Sequence, residues 1–67
     1  MIRLTVNGEP VRVQQANNVA ELLSTLNLHE KRVAVEINSE IIPRSEHPTT
    51  RVREGDRVEI VRAIGGG

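Results

Sequence analysis

The 67-residue chain carries nine basic and nine acidic residues, no cysteine and no aromatic residue. That length allows one small core, near the lower limit for a domain without disulfides or metals, and leaves no room for a large catalytic cleft. Disulfides, thiolate nucleophiles and cysteine metal sites are excluded, and a net charge of zero supplies no global field toward nucleic acid or an anionic membrane.

Ile2, Leu4 and Val6 alternate with Arg3 and Thr5, the period-two pattern of a strand with one buried face. The same alternation leaves no space for a signal peptide, and no apolar run approaches the length of a membrane span. A protein of the reducing cytoplasm, without membrane contact, is therefore expected. Asn7-Gly8-Glu9-Pro10 supplies turn chemistry, and Val11 and Val13 resume the alternation, so an N-terminal hairpin is expected. Asn17-Asn18 precedes a run from Val19 to Leu28 in which Val19, Leu22, Leu23 and Leu26 share one helical face. With Asn18 as N-cap, Glu21 falls at the third helical position, as in a capping box. The leucine stripe reads as half of the only core available, and His29 beyond it as a solvated residue.

Val33, Val35 and Ile37 alternate with Ala34, Glu36 and Asn38 to give a third strand, followed by a turn at Asn38-Ser39-Glu40 and an apolar patch, Ile41-Ile42, stopped by Pro43. The aperiodic segment Pro43 to Thr50 reads as a surface loop. His47 within it has no second histidine, cysteine or carboxylate at a metal-site spacing, so no metal is expected. Glu54-Gly55-Asp56 turns the chain into a last strand beginning at Arg57. The expected core is Ile2, Leu4, Val6, Val11, Val13, Val19, Leu22, Leu23, Leu26, Val33, Val35, Ile37, Val58 and Ile60, in an α+β domain of residues 1–67 with one helix packed on a small sheet.

Val58 and Ile60 share the inward phase of the last strand, and the next inward position is Arg62. A charge is seldom buried without a partner. The strand is thus expected to outrun the core, leaving Val61, Ala63 and Ile64 partly exposed as a docking patch, the alternative being that Ile64 folds back over the sheet edge. Gly65, Gly66 and Gly67 follow, with a free carboxylate expected at the tip. Glycines without a Cβ can thread a narrow channel and carry that carboxylate to a reactive centre.

The run Gly55 to Gly67, together with Ile41-Ile42-Pro43-Arg44 and the helix residues Val19 to Leu26, resembles the ThiS-type sulfur carriers of thiamine biosynthesis. The resemblance covers the whole chain. It implies a ubiquitin-like β-grasp fold, a mixed sheet on one main helix with a flexible Gly-Gly tail at 64–67. It further implies that the Gly67 carboxylate is the attachment point, with Gly65 and Gly66 giving access. An E1-like adenylyltransferase would activate it with ATP, a cysteine persulfide formed by a cysteine desulfurase would supply sulfur, and thiazole synthase would receive the thiocarboxylate. The protein would bind no cofactor and would be a cosubstrate rather than an enzyme, since it has no nucleophile and base pair of its own. One departure is His47, at a loop position that many members fill with an aromatic residue.

Two alternatives stay open. A related carrier serves molybdopterin synthesis or tRNA thiolation with the same tail. A noncatalytic β-grasp RNA-binding module would use the eight arginines, although these are interleaved with acidic residues and no aromatic ring is present to stack bases.

Overall fold

The computed structural model describes residues 1–14, 18–28 and 32–62. Strands β1 (Ile2–Val6) and β2 (Glu9–Val13), helix α1 (Val19–Thr25), and strands β3 (Val33–Ile37), β4 (Glu40–Ile42) and β5 (Arg57–Arg62) follow in chain order. A single turn of 3₁₀ helix, Arg44–Glu46, stands between β4 and β5. The five strands form one mixed sheet in the order β2-β1-β5-β3-β4. β5 sits at its centre, parallel to β1 and antiparallel to β3.

Both hairpins close through two-residue turns whose residues have positive φ. Asn7 and Gly8 adopt φ of 51° and 83°, and Asn38 and Ser39 adopt 51° and 71°. Such turns match the right-handed twist of the flanking strands, and asparagine and glycine tolerate them best. The two asparagines also extend the sheet. The Asn7 side chain accepts from the Ile60 backbone N–H at 2.8 Å and donates to the Ile60 carbonyl at 3.1 Å. Asn38 accepts from the Arg57 N–H at 2.9 Å and donates to the Asp56 carboxylate at 3.1 Å. Each side-chain amide thereby completes a β5 hydrogen-bond pattern that the backbone alone leaves open.

The N–H groups that open a helix have no partner inside it, and here those of its first three residues are satisfied from outside the ladder. Val19 donates to the Thr50 carbonyl at 3.0 Å, Ala20 to the His47 carbonyl at 3.1 Å and Glu21 to the Asn18 side chain at 2.8 Å, and Leu22 then makes the first intrahelical bond, to the Asn18 carbonyl at 3.0 Å. The N-cap expected at Asn18 is therefore present, and a cap of this kind stabilises by about 1 kcal/mol. The helix stops sooner than its apolar run. Asn27 turns left-handed at φ 61°, while Leu28 donates to the Leu23 carbonyl and Asn27 to the Ser24 carbonyl. This is a Schellman closure with asparagine in the place usually held by glycine.

The core gathers Leu4, Val13, Val35, Ile37, Val58 and Ile60 from the sheet and Val19, Leu22 and Leu23 from the helix, with Val52 joining them. Every residue expected in the core is either buried or packed against it. Leu22, Val19, Val35 and Val58 are the largest fully buried side chains, and each such burial stabilises by roughly 1.5 to 3 kcal/mol.

The segment after Pro43 differs from the surface loop expected there. His47 is only 6% exposed, and its Nε2–H donates to the Ile42 carbonyl at 3.2 Å. A buried imidazole needs such a partner, and this one ties the loop to β4. The Glu46 carbonyl accepts from the N–H and hydroxyl groups of both Thr49 and Thr50. The loop is thus a built element whose carbonyls cap α1, and Val52 is carried into the core behind it. Ile41-Ile42 belongs to β4, with Ile42 against the core and Ile41 facing solvent.

Candidate functional site

Strand β5 sets the geometry at the root of the tail. Its burial alternates from exposed Arg57 through buried Val58, exposed Glu59 and buried Ile60 to exposed Val61 and Arg62. Arg62 follows the inward phase yet remains exposed, so the strand does outrun the core. Pairing nevertheless continues to the end, with Val33 of β3 opposite Arg62 and Ala34 opposite Val61. The backbone is paired up to the last described residue. Val61, expected in the docking patch, is 60% exposed. Ala63, Ile64, Gly65, Gly66 and Gly67 lie outside the described residues.

The register adds neighbours to Val61 that the sequence reading did not place there. Ala34 lies directly across from it, and Ile41 of β4, at 70% exposure, lies across from Glu36. Glu36 in turn faces Glu59 across the β3–β5 pair. The sheet face turned away from the helix thus brings three apolar side chains and two carboxylates together beside the root of the tail. Alternation within each strand shows which residues point outward. Which of them meet is decided by strand order and register, and only the fold supplies these.

At the other end of β5, an open groove of about 380 Å³ runs between the β3–β4 turn and the segment from Glu46 to Asp56. Asn38, Glu40, Glu46, Arg51 and Arg53 line it. It mixes both signs of charge, and two of its polar groups already serve the fold: Asn38 through Arg57 and Asp56, and Asp56 through the Arg53 N–H. It shares no lining residue with the face at Val61. Among the described residues there is no grouping of histidine and carboxylates able to hold a metal ion, and no helix is long and apolar enough to cross a membrane.

Comparison with known proteins places this geometry in context. The profile of the ThiS family matches residues 3–67. A thiamine biosynthesis protein (ThiS) from Geobacter metallireducens, known as a crystal structure, is 43% identical and superposes with a TM-score of 0.83 over 98% of this chain and 100% of that one. The sulfur carrier protein ThiS of Bacillus subtilis is 34% identical over 65 residues, covering 96% of this chain and 98% of that protein. A thiazole synthase of Paramagnetospirillum magneticum is 41% identical over 66 residues, which is 98% of this chain but 20% of that protein. The chain therefore spans about a fifth of the length of that relative. The strand order, the single helix and the superposition together establish a ubiquitin-like β-grasp fold.

Proposed function

The chain belongs to the ThiS family, and from that premise we propose that it carries sulfur for thiazole formation in thiamine biosynthesis, as a protein cosubstrate rather than a catalyst. The observation that carries this reading is the match of residues 3–67, which includes Gly65, Gly66 and Gly67. The exposed end of β5 at Val61 and Arg62 supports it, because burial has ended on that strand before the sequence reaches its three glycines.

An α-carboxyl group, with an ordinary pKa of about 3.5, is anionic and unreactive at neutral pH. In the proposed sequence an E1-like adenylyltransferase lets the Gly67 carboxylate attack the α-phosphorus of ATP, expelling pyrophosphate and leaving an acyl adenylate. A cysteine persulfide, charged by a cysteine desulfurase, displaces AMP to form an acyl disulfide. A thiol then reduces the S–S bond and releases the thiocarboxylate. Gly65 and Gly66 admit the tail to the activating site, while Val61, Ala63 and Ile64 dock on the partner. ATP belongs to the activating enzyme and is not a resident cofactor of this chain.

Two thiazole synthases, from Paramagnetospirillum magneticum and Magnetococcus marinus, contain a region similar to nearly the whole of this chain. That similarity favours thiazole synthase over a molybdopterin or tRNA enzyme as the acceptor. The test is the intact mass of the protein after incubation with an E1-like adenylyltransferase, ATP, a cysteine desulfurase and cysteine. The expected product is heavier by one oxygen-to-sulfur exchange, located at Gly67 by fragmentation, and is converted back on transfer to thiazole synthase. An unchanged mass under conditions that charge the Bacillus subtilis protein would refute the reading.

A further inference from the structure

The β1–β2 turn carries a reactive dipeptide that the carrier reading does not use. Asn7 alone among the chain's asparagines precedes a glycine, and both turn residues are exposed to water. The main-chain nitrogen that follows an asparagine can attack the side-chain amide carbon and close a succinimide ring. A Cβ on the following residue hinders that approach, and glycine has none. At Asn7 the reaction balances with water alone. The Gly8 nitrogen, having lost its proton to base, bonds to Asn7 Cγ, the Cγ–Nδ2 bond breaks, and ammonia leaves with a proton in return. Water then opens the ring, giving aspartate if the new bond breaks and isoaspartate if the original main-chain bond breaks. What opposes this in the folded chain is hydrogen bonding. Asn7 Nδ2 donates to the Ile60 carbonyl at 3.1 Å, Oδ1 accepts from the Ile60 N–H at 2.8 Å, and the Asn7 N–H donates to the Val58 carbonyl at 2.9 Å. Both polar atoms of the amide are thus held on β5, and Cγ cannot swing to the Gly8 nitrogen without breaking both bonds to Ile60.

We propose that Asn7 is a deamidation site latched shut by β5: it reacts only when β5 parts from the β1–β2 turn, and the reaction makes that parting permanent. β1 pairs with β5 only at Thr5–Arg57 and Val6–Val58, so at Ile60 the β1 side of β5 is held through the Asn7 amide. Parting the two there is a local opening, which needs less free energy than global unfolding and sets the rate of any reaction that requires it. The products cannot restore the joint. Aspartate keeps an acceptor for the Ile60 N–H but sets a carboxylate oxygen against the Ile60 carbonyl where a donor stood, and two acceptors repel. Isoaspartate adds a main-chain carbon to a two-residue turn that closes with φ of 51° at Asn7 and 83° at Gly8, and so shifts the pairing on both sides of it. Asn38 provides an internal comparison. Its amide is also held, by Arg57 and Asp56, and its φ is also positive, but Ser39 follows it with a Cβ. The strand that loosens after reaction at Asn7 is the one that leads to Gly65, Gly66 and Gly67, so an altered chain presents its tail from a weaker support. The latch itself belongs to the folded domain and does not depend on the tail chemistry.

The experiment incubates the full chain in mildly alkaline buffer at a series of urea concentrations, from none to complete unfolding. Intact mass reads the exchange of an NH group for oxygen, peptide mapping places it and separates aspartate from isoaspartate, and amide hydrogen exchange at Ile60 is followed in parallel. In unfolding urea, conversion at Asn7 is expected to outpace that at every other asparagine by about tenfold or more, since only Gly8 offers an unhindered nitrogen. Without urea it is expected to be slower by about a hundredfold, and to rise with urea in step with exchange at Ile60. Asn7→Asp, which reproduces the aspartate product, is expected to melt about 5 to 15 °C below wild type and to lose protection at Ile60 ahead of its neighbours. Folded wild type that converts at the rate of the unfolded chain while Ile60 stays protected overturns the proposal, because the bonds to Ile60 then hold nothing back. An unfolded chain that keeps its mass, or that converts faster at Asn17, Asn18, Asn27 or Asn38, overturns it as well. An Asn7→Asp protein with wild-type melting and wild-type protection at Ile60 does the same, since the reaction then leaves the joint intact.

Discussion

The two faces of β5 answer to different demands. On the inner face Val58 and Ile60 are buried against the helix side of the core, and Asn7 completes the strand's hydrogen bonding at Ile60. On the outer face Glu59 confronts Glu36, and Val61 is exposed opposite Ala34. Neither arrangement buries a side chain in the core. One strand thus carries the centre of the core and, in alternate residues, an exposed surface. In so small a domain a strand cannot be spared for function alone, and the period of two lets one segment serve both roles.

The sharpest way to break this comparison is to truncate one side chain on each side of the sheet. Leu22→Ala removes a fully buried side chain and is expected to cost about 2 to 5 kcal/mol, enough to unfold much of a domain of this size at 37 °C. Val61→Ser on the outer face is expected to change stability by about 0.5 kcal/mol or less while weakening activation. Chemical denaturation read by far-ultraviolet circular dichroism, run beside ATP–pyrophosphate exchange by an E1-like adenylyltransferase, checks both.

Removing the amide that joins the β1–β2 turn to β5 should have a smaller effect. Asn7→Ala leaves the Ile60 N–H and carbonyl without their side-chain partners and puts a Cβ-bearing residue with no compensating bond at positive φ. The expected loss is about 1 to 3 kcal/mol, with amide exchange at Ile60 accelerated ahead of its neighbours. The smallest effect has the opposite sign. Ser39 holds φ 71°, where glycine is preferred in a turn of this type, so Ser39→Gly is expected to stabilise by about 0.5 kcal/mol, visible as a small rise in melting temperature, with activation untouched.

How far such features can be read in advance depends on how local their causes are. The alternation in β1 and β5, the helical stripe from Val19 to Leu26 and the Asn18 cap depend on residues a few positions apart, and each is found where the sequence implies it. The exposure of Val61 and Arg62 was legible for the same reason, since a charge at the inward phase marks the point where burial ends. His47 and Val52 were not. Their segment has no period, and their burial follows from long-range bonds that bring the His47 and Thr50 carbonyls to the helix N-terminus. The meeting of Glu36 and Glu59 was equally hidden, because it depends on β5 inserting between β1 and β3 with one particular register. The functional reading of the tail drew on resemblance, and comparison then established the family over residues 3–67.

The central claim is that the packed domain and the glycine tail are separable, one existing to present the other. Gly66→Val tests it most directly, with thermal melting and ATP-dependent activation measured on the same preparation. The account predicts a melting temperature within about 1 °C of wild type, since ΔΔG should be well under the ~1 kcal/mol that shifts a domain of this size by several degrees, and activation reduced at least a hundredfold by a β-branched side chain in a channel shaped for glycine. Activation at the wild-type rate, or a domain that melts early, would contradict it.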